Sequence, residues 1–345
     1  MLKIAIATTG GDAPGLNAVI RGATATAHRL GFEIVGLRNG FDTLLHHDRV
    51  EPLTLERTQG IERTGGTILG GASRGDPFRG YENGPRALKE ALDRHGIDAV
   101  VIAGGDGSLA IAHDLAQAGI RMVVAPKTID RDVANTHRTF GFESAVEFAT
   151  LAIERLHATA ASHERLFVCE VMGRDVGWIA LYAGLAAGAH LIVIPEIPYH
   201  VDRLADHIRR RESEGHCYHI LVCTEGARPA DGSTFLSERT GRYSGVAEAL
   251  ASQLGERTGK DARAISLGHL LRGGDPTALD RILGLGFGAR AVQALHEGES
   301  NVMIALHPPD LVTIPIAESA GKLHRVNPQS HEMLTARNLG IAFGD

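Results

Sequence analysis

The chain has 345 residues, too many for one small core and enough for about two domains of ordinary size. Hydrophobic residues make up 43% and charged residues 22%, globular proportions that argue against disorder. Lys plus Arg at 35 against Asp plus Glu at 41 give −6, which excludes a global basic field for nucleic acid. An anionic small ligand would need a local cluster of Arg and backbone N–H groups. The 42 glycines are not periodic, which excludes collagen; they sit at the ends of apolar runs. Cys169, Cys217 and Cys223 are odd in number and lack CxxC spacing. Neither a disulfide framework nor a zinc site is expected, and a reduced cytosol is the natural setting. Cys217 and Cys223 lie in apolar, strand-like runs and read as buried small hydrophobes.

The predicted elements alternate along the chain. Residues 3–8 read as a strand rather than a signal peptide, ending in the turn Thr9-Gly10-Gly11-Asp12-Ala13-Pro14-Gly15. Pro14 suits a first helical turn, and Ala18, Val19, Ala23 and Ala27 supply an apolar face beyond it. Residues 33–37 read as a strand, 85–95 as a helix and 98–103 as a continuous apolar strand. That strand ends in Gly104-Gly105-Asp106-Gly107-Ser108, ahead of a helix carrying Leu109, Ala112, Leu115 and Ala116. Strand 122–125 leads into Pro126-Lys127-Thr128-Ile129-Asp130-Arg131-Asp132, read as a polar loop. Helix 145–159, strand 166–171, helix 176–187 and strand 191–194 repeat the pattern. Residues 220–224, 264–267 and 302–306 read as later strands, with helices near 244–257 and 278–296. The apolar stretch 178–195 is therefore a helix and a buried strand, not a membrane span. Strands separated by helices imply right-handed parallel crossovers and α/β layers, with ligands beyond the carboxyl ends of the strands. No repeat, low-complexity tract or Pro/Ser-rich linker interrupts this order.

Each glycine loop has a chemical reading and a plain one. Gly10-Gly11-Asp12 can turn backbone N–H groups toward a phosphate, or be a tight turn only. Asp106 among three glycines can hold a Mg²⁺ that bridges phosphate oxygens, or simply cap the following helix. Gly107 leaves open space for a nucleotide. Asp130 and Asp132, beside Lys127 and Thr128, can take a proton from an attacking hydroxyl while a cation positions a phosphoryl group. With Arg131 between them, they can equally form a neutralised turn. Arg74, Arg165, Arg174, Arg263 and Arg272 stand at strand or loop edges, where guanidinium forks match phosphate oxygens. His269 reads as a core or a site histidine, and Glu225 follows a strand where a sugar hydroxyl could bind.

Eight segments stand in order: GGDAPGLNAVIRG (10–22), GGTILGGASR (65–74), GGDGS (104–108), PKTIDRD (126–132), SHERL (162–166), EVMGRDVGW (170–178), TEG (224–226) and LGHLLRGG (267–274). Together they resemble the bacterial-type 6-phosphofructokinases over almost the whole chain. NAD and lipid kinases share GGDG but lack the TIDRD-like and MGR-like segments. The resemblance implies an α/β fold of two Rossmann-like, three-layer αβα domains with the active site in the cleft between them. Residues 1–141 and 271–320 would bind the phosphoryl donor, and residues 142–270 and 321–345 the sugar phosphate. Carried over by position, Gly11, Arg74, Gly105, Asp106, Gly107 and Ser108 would serve the donor, with Asp106 on the Mg²⁺ side. Asp130 would be the base for the C1 hydroxyl of fructose 6-phosphate, with Thr128, Asp132, Gly11 and Lys127 around it. Arg174 would stabilise the transferring phosphoryl group. Met172, Gly173, Arg174, Glu225, His269 and Arg272 would hold the sugar phosphate. Arg165 and Arg263 would reach in from a neighbouring subunit to grip the 6-phosphate, which implies a homodimer or homotetramer. The resemblance also implies a cytoplasmic glycolytic enzyme that phosphorylates fructose 6-phosphate with ATP, and no nucleic-acid or membrane partner.

Departures from the family pattern carry information. Gly107 is the residue of ATP users, whereas Lys127 is that of pyrophosphate users; ATP is favoured because an absent side chain leaves room for adenosine. Arg131 stands where Asn is usual, and is expected to pair with an aspartate or to contact product phosphate. Of the effector-site arginines Arg21 persists, but the others are Ala25, Thr64 and His157. Weak control by ADP or phosphoenolpyruvate is expected. The alternatives are a reversible, pyrophosphate-dependent transferase and an inactive sugar-phosphate-binding regulator. The second needs a lost catalytic group, yet Asp106, Asp130, Asp132 and Arg174 are all present.

Overall fold

Apolar runs bounded by glycine become buried strands. A computed structural model of the chain describes residues 1–71, 78, 80–233 and 245–345. The elements begin with β1 (Lys3–Thr8), α1 (Leu16–Arg29), β2 (Glu33–Leu37), α2 (Asp42–His47), β3 (Glu51–Pro52) and α3 (Gly84–Arg94). Next come β4 (Ala99–Gly104), α4 (Asp106–Gln117), β5 (Met122–Thr128), β6 (Phe140–Gly141) and α5 (Phe142–His163). Then follow β7 (Leu166–Val171), α6 (Trp178–Ala186), β8 (Leu191–Val193), α7 (Val201–Ser213) and β9 (His219–Thr224). The rest are α8 (Val246–Thr258), β10 (Ala262–Ser266), α9 (Ala278–His296), β11 (Val302–His307), β12 (Asp310–Pro315), α10 (Ile316–Ser319) and α11 (His331–Asn338). Contacts divide the chain into two units, Met1–Ser144 with Arg272–His324, and Ala145–Leu271 with Arg325–Asp345.

Among the described residues, the first unit holds an eight-stranded sheet in the order β12-β11-β5-β4-β1-β2-β3, with β6 added to β5. Its inner strands are parallel. They are apolar on both faces because helices cover both. In β1 the period-two alternation sends Ala5 and Ala7 into one core with Leu88 of α3 and Leu109 of α4. Ile4 and Ile6 enter the other core, with Val19 of α1 and Phe287 of α9. Helices α1 and α9 approach backbone to backbone: a Cβ on Gly288 would lie 2.1 Å from the carbonyl oxygen of Val19. Both sheet edges depart from the expected parallel crossovers, since β3 pairs antiparallel with β2, and β12 with β11. The connection from His307 to Asp310 is only Pro308-Pro309, too short for a crossover, so the chain turns straight back.

The second unit is built on a four-stranded parallel sheet, β10-β7-β9-β8. Its core joins Leu166, Val168, Leu221 and Cys223 to Leu204 and Ile208 of α7 and Leu250 and Leu254 of α8. Helix α7 was not legible as a periodic run because charged residues dominate it; its apolar stripe is Leu204, Ala205 and Ile208. The reading of Cys217 as a buried strand residue is corrected: it is exposed, ahead of β9, whereas Cys223 and Cys169 are buried. Among the described residues no helix is long and apolar enough to cross a membrane.

Candidate active site

In the first unit, β5, β4 and β1 are adjacent and end level: Thr8 pairs with Ala103, and Gly104 with Pro126. Their carboxyl ends therefore deliver Gly10–Asp12, Gly105–Ser108 and Thr128–Asp132 to one place. Two expectations are corrected here. Pro126, Lys127 and Thr128 are not loop but the last residues of β5. Asp106, Gly107 and Ser108 are not loop either; they form the first turn of α4, and the cap is Gly105. Asp106 is therefore not the helix cap of the plain reading. It sits one position inside, where the helix dipole favours a negative group.

The two glycine turns are stitched together by hydroxyls. Thr9 donates its Oγ1 hydrogen to Ser108 Oγ at 2.8 Å, and its amide to the Ala103 carbonyl at 3.0 Å. Lys127 Nζ reaches from β5 to donate to the carbonyl of Gly11. The Arg272 guanidinium packs directly against Gly11: a Cβ there would be 1.9 Å from Arg272 Nη1. Gly105 is held close as well, with a Cβ placed 3.0 Å from the Lys127 carbonyl oxygen. Gly107 differs, since nothing lies within 4 Å of a Cβ built on it. Glycine at 105 serves close packing, whereas glycine at 107 faces open space.

Lys127 is buried, and burial, reinforced by Arg272, pulls its ammonium down to about 8; Asp132, Asp12 and Asp130 resist that fall. Burial raises the carboxyl of Asp132, opposed by the Thr128 hydroxyl, while the nearby Asp106 carboxylate pushes it further up. The Asp130 amide donates to Thr128 Oγ1 at 3.0 Å, which folds the loop back on the strand. Arg131 sits between the aspartates at φ 57°, a left-handed conformation, with its guanidinium 5.5 Å from the centre of the Phe142 ring.

Two carboxylates that repel one another, Asp106 and Asp132, beside a helix N-terminus suit a divalent cation bound with phosphate. Among the described residues no three His, Cys, Asp or Glu side chains gather to hold a metal by themselves. Mg²⁺ there would complete its shell with phosphate and water oxygens, its usual habit.

In the second unit, β7 and β9 are parallel neighbours whose ends carry Met172, Gly173 and Arg174 on one side and Glu225 on the other. Gly173 has φ 135°, and a Cβ on it would lie 2.6 Å from the carbonyl oxygen of Val176. Gly226 is equally constrained, since a Cβ would meet the Arg174 carbonyl oxygen at 1.8 Å. Arg174 is largely exposed and pairs with Asp175 at 3.2 Å. His269, in the short helix Gly268–Arg272, is exposed.

Arg165 and Arg263 are not brought to this group. Arg165 precedes β7 and Arg263 is the second residue of β10, so both stand at the amino ends of parallel strands. That is about 20 Å along β7 from Met172. Both bind Asp261, which the sequence reading missed: Arg165 Nε at 2.7 Å and Arg263 Nη2 at 3.0 Å. The signal available was an acid two residues before Arg263. Glu170 was also missed as a support. Its carboxylate accepts from the Ala247 amide at 3.1 Å and Ser266 Oγ at 3.0 Å, joining α8 and β10 to β7. Arg74, with residues 72–74 of its segment, and the start at 244 of a predicted helix lie outside the described residues.

Residues 3–295 match the family model described as Phosphofructokinase. The ATP-dependent 6-phosphofructokinase of Chloroflexus aggregans is 47% identical over 351 residues, covering 99% of this chain and 98% of the relative. The pyrophosphate–fructose 6-phosphate 1-phosphotransferase of Amycolatopsis methanolica is 44% identical, covering 96% and 98%. Among solved structures, phosphofructokinase from Saccharomyces cerevisiae is similar with a TM-score of 0.82 and 32% identity. That likeness covers 92% of this chain and 45% of the yeast chain, so this chain spans about half of its length.

Proposed function

The chain belongs to the phosphofructokinase family, and we propose from that premise how its own residues carry the reaction. The enzyme phosphorylates fructose 6-phosphate with ATP in glycolysis. Asp130 takes the proton from the C1 hydroxyl, whose oxygen attacks the γ-phosphorus as the bond to ADP breaks. Phosphoryl transfer needs little covalent help, so positioning and charge neutralisation dominate.

The Gly11 and Gly105–Ser108 backbone cradles the donor, and the family resemblance adds Arg74 as a donor residue. Lys127, Arg272 and Arg174 meet the charge that spreads over the transferred oxygens. Thr128 and Asp132 hold the loop that carries Asp130. Kinases of this family use Mg²⁺ with ATP; when bound it neutralises phosphate charge, and Asp106, assisted by Asp132, would hold it. Met172, Gly173, Glu225 and His269 bind the sugar. Arg165 and Arg263, gathered on Asp261 at the far end of β7, complete the 6-phosphate site of a neighbouring subunit, so the working form is a homodimer or homotetramer in the cytoplasm.

The observation that supports ATP most is the open space at Gly107. A second reading, pyrophosphate as donor, rests on the buried Lys127 cation, which suits a compact phosphate chain. Initial rates with fructose 6-phosphate and Mg²⁺, with ATP and pyrophosphate at matched concentrations, separate the two. A rate with pyrophosphate alone overturns the ATP reading, and no rate with either donor revives the inactive regulator.

A further inference from the structure

One fully buried carboxylate has no part in the chemistry above. Asp280 lies in the first turn of α9 with no solvent exposure. Its Oδ2 accepts two hydrogen bonds from one residue, the Ser144 amide at 2.8 Å and the Ser144 hydroxyl at 2.7 Å. The same hydroxyl oxygen accepts from the Thr277 amide at 3.0 Å, and Thr277 Oγ1 accepts from the Asp280 amide at 3.2 Å. Thr277 caps α9, and Ser144 is the third residue of α5. The carboxylate thus sits where two helices begin; burial raises it above the usual carboxylate range, and the Ser144 hydrogen bonds and the two helix ends oppose that rise.

What Ser144 leads to gives the carboxylate its importance. The residues just before it, 139–142, back the loop that carries Asp130. Phe140 and Gly141 pair with Lys127 and Thr128. The Thr139 hydroxyl donates to the Thr128 carbonyl at 3.0 Å. The Phe142 ring lies under the Arg131 guanidinium at 5.5 Å. Gly141, at φ 100°, is pressed between the first turn and the loop; a Cβ there would be 2.8 Å from Ala13 Cβ and 3.3 Å from Ile129 Cγ2. This backing has little slack, so its position is set by its ends, and Ser144 is the end tied by two hydrogen bonds to buried Asp280.

We propose that Asp280 is a positioning residue for catalysis: through Ser144 it fixes residues 139–142, and through them the placement of Asp130 and Lys127. The proposal rests on the reading of Asp130 as the base. A displacement of about 1 Å at the reacting atoms is enough to cost on the order of 100-fold in rate. Asp280 touches no substrate, so it acts on turnover rather than on affinity.

The test compares Asp280→Asn, Ser144→Ala, their double variant and Asp130→Asn as purified full chains, each shown to be folded by circular dichroism. For Asp280→Asn, kcat is expected to fall about 10- to 100-fold, while KM for ATP and for fructose 6-phosphate stays within about threefold. For Ser144→Ala, which keeps the amide bond, the expected fall is about three- to tenfold. The double variant should be no slower than Asp280→Asn, because both changes break one connection. Wild-type kcat in folded Asp280→Asn and Ser144→Ala overturns the proposal, as do losses that multiply in the double variant. If Asp280→Asn does not fold, Ser144→Ala decides alone: a lower kcat at unchanged KM supports the role, and an unchanged kcat refutes it. Asp130→Asn separates the premise. If it turns over normally, the base assignment has failed; if it is dead while the Asp280 and Ser144 variants are normal, only the positioning role has failed.

Discussion

Acid should destabilise the second unit, through histidines that the fold keeps neutral. His219 is fully buried, and neither ring nitrogen has a hydrogen-bond partner. His190 lies 6.1 Å from it, ring to ring, and its Nδ1 accepts from the Ile220 amide at 3.0 Å, so that nitrogen must carry no proton. His207 is 8% exposed and packs its Nδ1 against Arg210 at 2.7 Å. Burial, followed by the positive charges nearby, Arg211 foremost for His190 and His219 and Arg210 for His207, pulls the three down to about 3, 4 and 4 respectively. In the unfolded chain each titrates near the ordinary value of about 6.5. Stability is therefore whole above that value and drains away as the pH falls from about 6.5 toward 4, because the unfolded state takes up protons that the folded state refuses. At about pH 5 each of the two buried imidazoles, His207 and His219, costs about 2 kcal/mol, being about 1.5 units at about 1.4 kcal/mol each. His207 and His219 together cost about 4 kcal/mol, and the part-exposed His190 adds a screened fraction. That is a large share of an ordinary domain stability of about 5–15 kcal/mol. The single tryptophan, Trp178, lies in this unit at 4% exposure and reports on it. Urea titrations followed by its fluorescence should show the midpoint fall by about 2 M between pH 7.5 and 5. His219→Leu should remove roughly a third to a half of that pH dependence. A wild-type midpoint that does not move, or a variant with undiminished pH dependence, would refute the reasoning.

Asp130→Asn should lower kcat by about 10²–10⁴-fold while leaving both KM values within about threefold, measured by steady-state rates; an unchanged kcat removes Asp130 as the base. Since Lys127 loses its proton at about 8 rather than 10.5, kcat/KM for ATP should fall above that pH as the cation is lost. In Lys127→Met that alkaline limb should be absent from a lower plateau. Gly107→Asp fills the open space at the start of α4 with bulk and charge, and should raise KM for ATP by at least about tenfold, corresponding to ~1.4 kcal/mol. ADP and phosphoenolpyruvate should leave the fructose 6-phosphate saturation curve in place. Arg21 is taken up by Leu55 and Thr58, Thr64 receives Asn17, and His157 is fixed between Tyr218 and Ala187, so the basic charge that would bind an anionic effector is thin.

Much of the inner fold was legible in the amino-acid order because its signals are local. The runs at 4–7, 99–103 and 122–125 are continuously apolar, as strands covered on both faces must be, and each is followed by polar residues, by glycine or by both. Glycine also marked the site loops, since a phosphate or a second backbone can approach only where no side chain intervenes. Where the elements end was less legible. Lys127 and Thr128 look polar enough for a loop, yet they continue β5 because β6 pairs with them, a contact made by residues 140–141. Cys217 and α7 were misread or missed for the opposite reason: burial is decided by what packs on a residue, not by its own neighbours in sequence.

The sequence by itself determined the family and the layer type, and it nominated the groups proposed to react, since these depend on residue types at fixed spacing. Only the tertiary structure decided that Gly105 is packed while Gly107 is open, that Lys127 is buried on the Gly11 carbonyl, and that Arg165 and Arg263 share Asp261. It also brought Asp280 onto Ser144 across 136 residues of chain. The physical reason is common to all of these. Burial, charge pairing and open space belong to the surroundings of a side chain, and those surroundings are assembled from residues far apart in the chain.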